Sequence, residues 1–137
     1  MLDLLFICQW NIARSQIAEW FSRQKLKNIS VWSCWIDNVW YKYNFKCYKP
    51  AINILNKKYN VDISGHQPKV INEEIVTNAK HIIVLCLENE CNNDFPDYLK
   101  KHESVIYKYV GDPNTKNDDF LEQIVKKIDK IVKELLI

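Results

Sequence analysis

The chain has 137 residues, enough for one domain, residues 1–137, with a buried core of its own and too few for two. Lysines and arginines number 19 against 17 acids, and the net charge of +2 is too weak a field to gather nucleic acid or an anionic lipid surface, so any anion must be captured by local geometry. Five cysteines without framework spacing, no cationic leader at Met1 and no run near the ~18 apolar residues of a membrane span point to reduced thiols in a cytoplasmic protein.

In chain order, Leu4 to Cys8 is a short apolar run of the kind a buried central strand needs. Ile17, Ala18, Phe21 and Leu26 then recur at near-helical spacing, which predicts a helix from about Arg14 to Lys27. Ile29 to Cys34 alternates as a second strand. After a loop rich in aromatics from Asp37 to Lys49, Pro50 opens a helix through Tyr59. Asp62 to Pro68 reads as a turn and Asn72 to Asn78 as a short helix. His81 to Cys86 is a third, buried strand, and Glu88 to Lys101 is loop and helix. Val105 to Val110 is the last strand, and Phe120 to Leu136 is an amphipathic helix. The alternation predicts a three-layer α/β fold with a central four-stranded parallel sheet, helices on both faces, and the ligand site at the carboxyl ends of the strands. Cys8 and Asp112 both fall at such ends.

The loop Cys8-Gln9-Trp10-Asn11-Ile12-Ala13-Arg14-Ser15 joins a buried strand to a helix start, where backbone N–H groups can converge on an anion. The same field lowers a thiol's pKa, a guanidinium lowers it further, and a thiolate is a nucleophile. Arg14 has the planar fork to grip two oxygens of a tetrahedral anion, and the Ser15 hydroxyl can hydrogen-bond the thiolate. A bare C-x5-R also occurs as a core cysteine followed by a surface arginine; strand, loop, helix and a distal Asp-Pro in this order argue for chemistry.

These residues, with Gln16-Ile17-Ala18-Glu19, Ser33, Pro50-Ala51-Ile52, Val61-Asp62-Ile63-Ser64-Gly65-His66, Ile83-Val84-Leu85-Cys86 and Gly111-Asp112-Pro113, resemble the low-molecular-weight protein tyrosine phosphatase family, including its thioredoxin-coupled arsenate reductase branch. The resemblance spans nearly the whole chain. It implies a phosphomonoester hydrolase with Cys8 as the phosphocysteine-forming nucleophile, Arg14 as transition-state clamp and Asp112 as general acid and then base. It further implies that Gln9 to Ser15 bind the phosphate and that Ser15, Ser33 and His66 hold Asn11. No metal or cofactor is implied, and the partner is a phosphorylated protein or a small aryl phosphate bound by a monomer.

In the reductase branch the same loop takes arsenate, and further thiols resolve the cysteine adduct with thioredoxin. Cys86 and Cys91 stand where that redox pair belongs but are closer together than the branch keeps them, and Cys86 also reads as a core thiol. Asn114-Thr115 follow Asp112-Pro113 where many phosphatases carry tyrosines; Trp40, Tyr41 and Tyr43 can line the mouth instead or pack on the sheet edge. A non-catalytic phosphate-binding module on the same scaffold is the third reading.

All five tryptophans, Trp10, Trp20, Trp32, Trp35 and Trp40, lie in the first 40 residues, and the two glycines are Gly65 and Gly111. Average usage would supply about ten glycines. Either the tryptophans are genuine, or they are UGA codons of a lineage that reads them as glycine; UGG in the gene ends the second reading.

Overall fold

A computed structural model describes residues 2–8, 14–26, 28–35, 49–63, 70–85, 95–108, 110 and 118–135. Strand β1 (Leu2–Cys8) is central, flanked by β2 (Val31–Trp35) and β3 (Ala79–Val84), with β4 (Val105–Tyr107) outside β3. All three pairings are parallel, with Phe6 opposite Ser33 and Ile83, and Cys8 opposite Trp35. The helices are α1 (Arg14–Lys25), α2 (Lys49–Tyr59), α3 (Glu73–Asn78), α4 (Asp97–Lys100) and α5 (Asp118–Leu135).

Because β1 has a strand on each side and helices on both faces, every side chain from Leu4 to Cys8 is buried, which is why that run is apolar without alternation. The pleat sorts them by face. Leu4, Phe6 and Cys8 pack with Ile17, Phe21, Leu55, Ile124 and Ile128 of α1, α2 and α5; Leu5 and Ile7 pack with Val76, Phe95 and Leu99 on the α3 and α4 side. The expected three-layer sheet is therefore present, with Cys8 directed toward α1.

Element ends follow the ladder rather than the local pattern. β1 begins two residues before the expected Leu4 because Leu2 pairs with Ala79, and β4 stops at Tyr107 instead of Val110 once Lys108 N–H has donated to Val84 O at 2.8 Å. Helix ends show their chemistry. Asn72 caps α3 by accepting from Ile75 N–H at 2.8 Å, and Asn60 terminates α2 at φ 56°, the left-handed turn usually left to glycine, while Val61 N–H closes on Leu55 O. At the amino ends of the strands, His102 brackets β3 to β4: Ser104 N–H donates to Nδ1 at 3.0 Å, so Nε2 carries the proton donated to Ala79 O at 2.7 Å.

Candidate functional site

The sheet order reverses at β1, since the chain leaves it for β2 on one side and returns to β3 on the other. The carboxyl end of β1 is thus the crevice where open parallel sheets hold ligands. Cys8 occupies that end at 2% exposure, and α1 starts beside it. The Ser15 hydroxyl, in the first turn of α1, lies 2.9 Å from Cys8 Sγ, a contact in which either group can donate and in which a thiolate leaves Ser15 as the donor. Arg14, the first residue of α1, is only 6% exposed. A buried guanidinium needs opposite charge or hydrogen-bond acceptors, and a helix start is where an anion is stabilised.

Ser33 is fully buried on β2 and donates to Glu19 Oε1 at 2.5 Å, while Glu19 Oε2 receives Arg23 Nη2 at 3.2 Å. No local pattern in the sequence marks Glu19 or Arg23 for a role at the site. Their i,i+4 spacing was visible, but such pairs ordinarily sit on solvated faces, and only the fold puts Glu19 at 1% exposure.

Of the residues singled out from sequence, the structure therefore brings together Cys8, Arg14 and Ser15 and sets Ser33 on the neighbouring strand. Gln9, Trp10, Asn11, Ile12, Ala13, His66, Cys86, Cys91 and Asp112 lie outside the described residues, as do Trp40, Tyr41 and Tyr43. Cys8 and Cys34 are both reduced thiols on opposite faces of the sheet. Among the described residues no group of three His, Cys, Asp or Glu is placed to hold a metal, and no helix is long and apolar enough to cross a membrane. A cavity of about 770 Å³ opens at the opposite, amino end of β3 between Glu73, Tyr98, Lys101 and His102. Its place at the amino ends of the strands sets it apart from Cys8, which lies at the carboxyl end of β1.

The family described as Low molecular weight phosphotyrosine protein phosphatase matches residues 3–137. The arsenate reductase of Staphylococcus aureus (strain bovine RF122 / ET3-1) is 32% identical over 112 residues, 80% of this chain and 80% of that protein. Among solved structures, an arsenate reductase in the phosphate binding state superposes with a TM-score of 0.79 at 23% identity, covering 98% of this chain and 96% of the other. The low molecular weight protein tyrosine phosphatase of T. tengcongensis gives 0.73 at 22% identity, covering 98% and 99%.

Proposed function

The chain belongs to the low molecular weight phosphotyrosine protein phosphatase family, and from that premise we propose that it hydrolyses phosphomonoesters through a phosphocysteine on Cys8. The observation that carries this reading is the buried Cys8 thiol at the sheet's switch point, 2.9 Å from Ser15 Oγ and beside the start of α1 at Arg14. In the first step the Cys8 thiolate forms the S–P bond as the ester P–O bond breaks, and the carboxylic acid of Asp112 protonates the departing oxygen. Arg14 and the N–H groups of Gln9 to Ala13 balance the charge on the three equatorial oxygens. Ser15 hydrogen-bonds the sulfur as thiolate, and again when it leaves. In the second step Asp112, now a carboxylate, takes a proton from water as the water oxygen attacks phosphorus and the S–P bond breaks. Asn11, held by Ser15, Ser33 and His66, keeps the loop open to the anion. The 1–137 chain acts as one domain, a monomer in the cytoplasm.

Arsenate reduction is the second reading, supported by the activity named for the Staphylococcus aureus relatives. Leu85, the residue before Cys86, donates its N–H to Ile7 O at 2.8 Å, one residue from Cys8. The Cys86 thiolate would then attack the sulfur of an arsenylated Cys8, forming a Cys8–Cys86 disulfide as the S–As bond breaks and arsenic leaves with the electron pair as arsenite; Cys91 would displace Cys8 to give the Cys86–Cys91 disulfide that thioredoxin reduces.

A paired assay separates these readings. Turnover of p-nitrophenyl phosphate that disappears in Cys8→Ser and persists in Cys86→Ser and Cys91→Ser is the expected result. Arsenate-dependent oxidation of thioredoxin lost in all three variants makes the protein a reductase, and phosphate binding with neither turnover leaves a binding module.

A further inference from the structure

Helix α1 carries two residues of the anion site in its first turn, so its position on the sheet sets their reach. Side-chain contacts along α1 fix that position. A first strut is the contact of Ser15 with Cys8; a second runs from Ser33 on β2 to Glu19, four residues and about 6 Å farther along the helix. The second strut depends on a carboxylate that is 1% exposed, and a buried carboxylate needs opposite charge.

Arg23 brings that charge and more. Its Nη2 lies 3.2 Å from Glu19 Oε2, and both Nε and Nη2 donate to the carbonyl of Val31, at 3.3 and 3.0 Å. The guanidinium plane is held over Trp20 at 4.7 Å and Trp32 at 5.6 Å, one ring from α1 and one from β2. β2 is an edge strand, so its backbone can offer a carbonyl to a side chain. A planar fork can serve helix carboxylate and strand carbonyl together; an ammonium has no such fixed geometry.

We propose that Arg23 is a positioning residue for the anion site: through Glu19 and Ser33 it locks α1 against β2, and thereby holds Arg14 and Ser15 in register with Cys8. The proposal rests on Cys8 being the anion-facing nucleophile. A helix free to slide or rotate by a fraction of an ångström would lengthen the 2.9 Å contact of Ser15 with Cys8 and mis-aim the Arg14 fork, and misplacements of about 1 Å cost up to ~10²-fold in such sites.

The test uses the full chain and reads the concentration of inorganic phosphate that half-protects Cys8 from iodoacetamide, a measurement that needs no turnover. Arg23→Met is expected to raise that concentration about tenfold, with millimolar guanidinium restoring most of the loss. Arg23→Lys, which keeps the charge without the fork, is expected to fall between, and serves if Arg23→Met does not fold. Glu19→Gln can still accept from Ser33 and needs no counter-charge, so Arg23→Met in that background should add less than about twofold. Unchanged protection in Arg23→Met, or an equal loss with and without Glu19→Gln, overturns the proposal. Failure of phosphate to protect Cys8 in the unaltered protein overturns the anion-site reading itself, whereas protection without hydrolysis or reduction removes only the catalytic reading.

Discussion

Cys8 and Ser15 are seven residues apart in the chain and 2.9 Å apart in space because a strand ends and a helix begins between them. In the proposed mechanism Ser15→Ala removes the hydroxyl that stabilises the sulfur as nucleophile and leaving group, while leaving the fold's apolar contacts alone. Turnover should fall by roughly one to two orders of magnitude with little change in melting temperature; equal loss of both would mean that Ser15 only packs. Cys8 was legible because a thiol closing an apolar run is a local pattern. Glu19 was not, because its burial depends on Ser33, 14 residues downstream, and on a sheet edge that local pattern does not contain. Trp32 is 38% exposed and Trp20 is half-buried against the core, and both rings pack on Arg23.

At the scale of elements, the ends carry the information. Asn60 at φ 56° stands where a side chain with a Cβ is strained, and asparagine tolerates the left-handed region better than alanine. Asn60→Ala should lower stability by about 1 kcal/mol while Asn60→Gly does not, measured by urea unfolding. Asp3 ties the start of β1 to its neighbours: Ser30 N–H donates to its carboxylate, as does Ser30 Oγ, and Lys80 Nζ lies 3.2 Å away on β3. The Ser30 backbone bond, then Lys80 and the Ser30 hydroxyl, hold the Asp3 carboxyl below the ordinary carboxylate value. A lowered folded value means the contribution is complete above the ordinary value and is lost as pH falls through the lowered one. The stability gap between the unaltered protein and Asp3→Asn should therefore be present at neutral pH and close as the solution is acidified below about pH 4. A gap that persists at low pH would assign the effect to neutral hydrogen bonds.

For the whole molecule, stability is concentrated where α1, α2 and α5 cover the Cys8 face of the sheet. Phe21 is 1% exposed there and packs into the same cluster as Phe6, Leu55 and Ile128. Phe21→Ala should cost about 3–5 kcal/mol in urea unfolding, and the loss should be global, because that cluster spans the sheet and three helices. A much smaller cost would mean the face collapses to fill the gap. The residues by themselves determined the strand-helix alternation, the parallel sheet and the strand end bearing Cys8, because apolar periodicity and a phosphate-loop pattern are written in neighbours along the chain. The tertiary structure alone decided which face Cys8 takes, where the strands stop, and that the buried Glu19 and Ser33 are joined by a part-exposed Arg23. Those outcomes depend on hydrogen-bond ladders and charge burial between segments that meet only when the chain has folded.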